Sequence, residues 1–78
     1  MPTVLRVGPY RFFFFASDGA EPVHIHVERD KLRAKIWLSP LRIAWNQGFA
    51  PKELNRVLVI VRQHADRIVE EWNHAFNH

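Results

Sequence analysis

The sequence predicts an α+β fold: a small antiparallel sheet of four to five strands with one face covered by a long C-terminal helix. Three observations predict it. Residues 3–45 carry short β-branched and aromatic runs separated by Gly, Pro, Asn and Asp. Residues 51–76 repeat apolar side chains at three-four spacing. The run Val23-His24-Ile25-His26-Val27-Glu28 alternates strictly. Successive side chains of a strand point to opposite faces, so Val23, Ile25 and Val27 share one face while His24, His26 and Glu28 share the other.

The first strand is expected at residues 3–7 and the second, rich in Phe, at 10–16, with Gly8-Pro9 turning between them. Residues 17–22 read as loop. A third strand at 23–29 and a fourth at 32–38 flank the turn Asp30-Lys31. That hairpin can be tested for register. It pairs Val27 with Ala34 and Ile25 with Ile36. On its other face Glu28 meets Arg33, His26 meets Lys35 and His24 meets Trp37. Apolar residues then face apolar ones and Glu28 gains an opposite charge. In the first hairpin Val7 pairs with Tyr10, Leu5 with Phe12 and Val4 with Phe13, but Arg6 lands opposite Arg11, an unfavourable like-charge pair. Ser39-Pro40 ends the fourth strand. A fifth, shorter strand follows at 41–45, and Asn46-Gln47-Gly48 turns the chain.

The helix is expected over about 51–76. Pro51 suits the first helical position, where its missing N–H costs nothing. Ala50 is a poor N-cap, so fraying is expected there. Leu54, Val57, Leu58, Val61, Ala65, Ile68, Val69, Trp72 and Phe76 form the apolar stripe. One straight helix to the C-terminus would span ~42 Å, against a globule of roughly 30 Å. Either the helix bends near His64-Ala65-Asp66, or its end protrudes onto a second copy.

Composition bounds the rest. The chain has 78 residues, 47% of them hydrophobic and 13% aromatic, enough for one small domain, residues 1–78, with a thin core. It has no cysteine, which excludes disulfides and thiolate metal sites. No apolar run approaches membrane-spanning length and Met1-Pro2-Thr3-Val4-Leu5-Arg6 has no signal-like stretch, so a cytoplasmic protein with no membrane partner is expected. A net charge of +3 permits nucleic-acid contact without requiring it.

The sheet face turned from the helix is expected to carry Arg6, Arg11, Phe13, Phe15, His24, His26, Glu28, Arg33, Lys35 and Trp37. Cations among exposed rings suit single-stranded RNA or DNA, with phosphates on the cations and bases on the rings. Arg6, Arg11, Phe13, Phe15, Arg33, Lys35 and Trp37 are therefore the expected contacts for nucleic acid or for a cognate small protein. The enzymatic alternative is a metal-independent endoribonuclease. It would draw base, acid and phosphorane-stabilising cation from His24 or His26, Glu28, and Lys35 or Arg33. A third alternative is a homodimeric assembly protein joined through Phe13, Phe15 and Trp37. No cofactor is expected. His24 and His26 are the candidate ligands if a metal binds, but a third ligand is needed. Glu28 lies ~13 Å along the strand from His24, so Asp18, Glu21, His64 or His74 would have to swing in, and Lys35 would repel the ion. His64 is otherwise expected at the core edge, His74 and His78 on the surface, and Trp72 and Phe76 in the core or a dimer contact.

Taken together, Thr3-Val4-Leu5-Arg6, Tyr10-Arg11-Phe12-Phe13-Phe14, Glu21-Pro22-x-His24-x-His26-Val27, Ala34-Lys35-x-Trp37-Leu38 and Asn46-x-Gly48-Phe49 resemble an uncharacterised family of small bacterial proteins, the domain-of-unknown-function family four-one-six-zero. The resemblance spans nearly the whole chain. It carries no established biochemistry. It implies a compact cytoplasmic protein of the kind encoded in toxin–antitoxin-like pairs. The chain departs from the family's pattern at Ile36, where an aromatic is typical, at Ser39, where an acid is typical, and at Ala50, where a capping Ser is typical. Its Asp30-Lys31 turn also lacks the expected glycine. The leading expectation is a small binding module engaging nucleic acid or a cognate protein through the basic, aromatic face; whether the chain is an enzyme stays open.

Overall fold

The computed structural model describes residues 3–76; His78 lies outside them. Five strands run as an antiparallel meander in chain order: β1 (Thr3–Val7), β2 (Tyr10–Phe13), β3 (His24–Arg29), β4 (Leu32–Leu38) and β5 (Leu41–Gln47). Two helices follow, α1 (Pro51–Gln63) and α2 (Ala65–Phe76), and a 3-10 turn, Ala16–Ala20, lies between β2 and β3. The α+β expectation stands, with all five strands present.

The β3–β4 register is the expected one, with Ile25 opposite Ile36, Val27 opposite Ala34 and Glu28 opposite Arg33. Two bulges depart from simple alternation. In β1 the pairing shifts between Thr3 and Leu5, so Phe13 faces Thr3 rather than Val4, and Val4 tucks into the core. In β5, Ile43 faces Ile36 but Trp45, not Ala44, faces Lys35. One extra residue flips everything after it to the other face.

Strand β2 stops at Phe13 rather than reaching residue 16. The Phe15 N–H is taken by the Asp18 carboxylate at 2.8 Å, so it is unavailable to a strand ladder. Phe14 leaves the sheet and sets its ring edge-on to Trp72 of α2, centroids 5.2 Å apart.

The helix bends rather than protrudes. Around His64 the backbone departs from helical geometry (φ −112°), and its N–H is shared between the carbonyls of Ile60 and Val61. Segments of about 20 Å and 18 Å then fit a body measuring 34 × 24 × 20 Å. The bend lets both helices use their apolar stripes. Val57 and Val61 of α1 and Ile68 and Trp72 of α2 join Phe12, Ile25, Val27 and Ile36 in one core. His64 is half-buried at its edge, and Phe76 packs against the core as expected.

Ala50 offers no side-chain cap, but α1 is tethered at its start in another way. Glu53 accepts Arg29 Nε at 2.6 Å, Arg29 Nη2 at 2.8 Å and the Tyr10 hydroxyl at 2.7 Å, joining β2, β3 and α1. The Arg29 bonds, then that of Tyr10, hold the Glu53 carboxyl down at about 2, from an ordinary value of 4.5. A carboxylate with a depressed folded pKa contributes stability that is complete above its unfolded value and is lost as pH falls through the folded one. Glu53→Gln is therefore expected to melt at lower temperature than wild type at pH 7. The gap should close between about pH 4.5 and pH 2. Thermal melts across that range test this, and parallel profiles would refute the tether.

A His–His–Asp centre beneath a basic, aromatic sheet face

Alternation puts Ile25 and Val27 into the helix-covered core and turns His24 and His26 the other way. Three rows of residues cross that second face. One runs Arg6, Arg11, Glu28, Arg33 and Gln47; the next runs Thr3, Phe13, His26, Lys35 and Trp45; the third joins His24, Trp37 and Arg42.

The expectation that this whole face is uncovered is corrected. His24 is fully buried, while His26 and Phe13 are 7% and 3% exposed. The cover is local, made by Phe15 and the 3-10 turn. Phe13 lies between the Arg11 guanidinium, 4.4 Å from its ring centre, the Phe15 ring edge at 5.2 Å, and the stacked His26 imidazole at 5.6 Å. It is packed internally and is not offered to a partner. What stays open is Arg6, Arg33, Arg42, Phe15 and Trp45, with Trp37 half-exposed. Arg42 and Trp45 escaped the sequence reading. Arg42 takes its face from the pairing of β5 with β4, opposite Trp37, and Trp45 follows the bulge, so neither position is set by its own neighbours in the sequence.

The arginine conflict in the first hairpin resolves across the next strand. Arg11 donates to Thr3 Oγ1 at 2.9 Å and reaches Glu28 Oε2 at 3.3 Å, while Arg33 approaches the other Glu28 oxygen at 3.7 Å. Lys35 bonds Glu21 and lies 4.5 Å over the Trp37 ring. Of the four residues read as catalytic, Glu28 and Lys35 are thus engaged in ion pairs, and His24 and His26 are buried together.

Under the cover Asp18, itself 6% exposed, converges on both histidines. Its Oδ2 lies 3.1 Å from His26 Nε2 and 3.2 Å from His24 Nε2. The turn that carries it is closed reciprocally. The Asp18 N–H donates to the Phe15 carbonyl at 3.0 Å while the Phe15 N–H donates to Asp18 Oδ2. Farther out Gly19 admits Phe76 so closely that a Cβ there would sit 2.7 Å from the ring. His24 is wedged between Trp37 and Trp72, with centroids 5.4 and 5.1 Å away. Burial pushes the His26 pKa down against the opposing pull of Asp18, favouring a neutral imidazole. His64 and His74 are not part of this cluster, and Glu21 is held by Lys35. Beside it a cleft of about 220 Å³ is lined by Pro22, Val23, Trp37, Ser39 and Arg42.

A family model described as a domain of unknown function (DUF4160) matches residues 10–73, which takes in β2 through most of α2 and leaves the Thr3-Val4-Leu5-Arg6 stretch outside. No curated protein and no solved structure matches.

Proposed function

We propose that this chain, which belongs to the domain-of-unknown-function family DUF4160, is a binding module for single-stranded nucleic acid. One observation carries the reading. Trp45 is 42% exposed on a sheet face that also presents Arg6, Arg33 and Arg42, with a second open ring, Phe15, at 40%. Pairing places Trp45 in the row between those of Arg33 and Arg42. That spacing lets a base stack on the indole while its flanking phosphates meet guanidinium groups. Arg6 and Arg42 make no ion pair among the described residues, so neither must break one to bind.

Burial of His24 and the pairing of Glu28 and Lys35 support binding over metal-independent cleavage, because those groups are committed inside the protein. A module of this size suits the toxin–antitoxin-like setting that the family resemblance implies. No helix among the described residues is long and apolar enough to cross a membrane.

The test is titration of a short mixed-sequence single-stranded RNA, followed by tryptophan fluorescence and anisotropy in EDTA. Wild type is expected to bind, and Trp45→Ala to bind about 5- to 150-fold more weakly, equivalent to ~1–3 kcal/mol for one stacked base. Equal affinities would overturn the assignment. Shortening of the RNA that depends on His26 would replace it with the endoribonuclease reading. Light scattering that shows a dimer dissociated by Trp45→Ala would make the face a contact between two copies of the chain.

A further inference from the structure

We infer that Asp18, His24 and His26 form a binding site for one divalent transition cation of the Zn²⁺ class. The inference is independent of the nucleic-acid reading, since it concerns the covered layer and not the open surface. All three side chains are at least nine-tenths buried, and one ligand atom from each lies within 4.8 Å of the others.

The tautomer of His24 carries the argument. Its Nδ1 lies 2.8 Å from the Pro22 carbonyl oxygen, which can only accept, so Nδ1 bears the hydrogen and donates. In the neutral ring Nε2 then presents a lone pair, fully buried and with no hydrogen-bond partner, toward the Asp18 carboxylate 3.2 Å away. Two lone pairs facing each other in a dry site repel. Something positive has to lie between them.

A proton is the simplest cation, but the local geometry suits it poorly. Asp18 Oδ2 already accepts the Phe15 N–H at 2.8 Å and lies 3.1 Å from His26 Nε2. A hydrogen on His24 Nε2 would not align with Asp18 Oδ2, so the two atoms lie 3.2 Å apart without a hydrogen bond between them. A metal ion needs lone pairs directed at one point and no acceptor beyond it. Ligand atoms about 2.0–2.1 Å from a tetrahedral Zn²⁺ lie about 3.3 Å apart, close to the 3.1 and 3.2 Å seen between Asp18 and the two imidazoles.

The surroundings match the chemistry. An Nδ1–H bonded to a backbone carbonyl is the outer contact that orients a ligating imidazole. The Lys35 ammonium, which would oppose an ion opposite His26, is drawn to Glu21. Two nitrogens and a carboxylate oxygen are a donor set of borderline softness, suited to Zn²⁺ and its neighbours rather than to Ca²⁺ or Mg²⁺. Three protein ligands leave a fourth position for water or an exogenous donor.

The experiment is calorimetric titration of EDTA-stripped, dialysed protein with Zn²⁺. Co²⁺ serves as a second probe, read by its visible bands and by quenching of Trp72 and Trp37. One equivalent is expected to bind. Asp18→Asn keeps shape and the acceptor for the Phe15 N–H but removes the charge. It is expected to weaken binding by more than about 100-fold, beyond the cost of losing an outer partner. His26→Gln, whose ring is less enclosed than that of His24, should do the same, and His74→Ala should change nothing. No uptake by folded wild type, with ¹⁵N shifts showing His24 as an imidazolium, would assign the site to a proton and overturn the inference. Uptake lost in His74→Ala but kept in Asp18→Asn would also overturn it.

Discussion

Trp72→Ala is expected to destabilise the fold by about 3–5 kcal/mol, the usual cost of emptying a large aromatic site in a core. Against a total of about 5–15 kcal/mol for a domain, that is a large fraction. In a chain of this size it corresponds to a fall in melting temperature of about 12–40 °C. Trp72 is 3% exposed and lies edge-on to Phe14, 5.1 Å from His24 and 4.5 Å from Phe76. It therefore joins α2 to the segment leaving β2 and to the histidine pair at once. Chemical denaturation measures the loss, with Val69→Ala as a comparison on the same helix. Val69 is 37% exposed and should cost far less. A Trp72→Ala variant within about 1 kcal/mol of wild type would show that α2 does not pack as described. Amide exchange of residues 14–20 should also speed up in the variant, because Phe76 then holds Gly19 without its neighbour.

The second large effect is electrostatic. If Arg6, Arg33 and Arg42 each meet one phosphate of a single strand, replacing all three with Ala flattens the salt dependence of log K by about 2, at ~0.7 per phosphate. Near 0.1 M salt this amounts to a loss of about 100-fold in affinity. Net charge alone predicts a similar loss from any three cations. Lys52, Arg62 and Arg67 are exposed on the helices and supply the comparison, because their triple replacement changes the charge equally. The sheet-face triple should lose affinity and slope while the helix triple changes little. Equal losses would mean diffuse attraction to a basic protein, with no defined face. Folding should survive, since Arg6 and Arg42 make no ion pair among the described residues and Glu28 keeps Arg11 when Arg33 is removed.

Local pattern determined more of this protein than its size suggests. The alternation through Val23-His24-Ile25-His26-Val27 and the turn at Asp30-Lys31 are enough to specify the β3–β4 register, because a one-residue slip would turn Ile25 and Val27 out of the core. The three-four spacing after Pro51 likewise specifies which helical face is buried. Both signals lie within a few residues of what they predict. Tertiary structure decided the rest. The strand expected to continue to residue 16 ends at Phe13, because Asp18 takes the Phe15 N–H and Trp72 receives Phe14. Unbroken alternation would put Trp45 on the core face with Ile43, but the bulge between Ile36 and Lys35 turns it to the cationic face. Arg11 looked opposed to Arg6 until β3 brought Glu28 alongside. Above all, Asp18 was legible only as a loop acid and one of several distant ligand candidates. Its place over His24 and His26 depends on Phe76 fitting against Gly19 and on Trp72 closing over His24, contacts between residues 57 and 48 positions apart in the chain. The period of a strand is a property of neighbouring residues. The path of a connection is set by the distant surfaces that pack against it, and those exist only once the chain has folded.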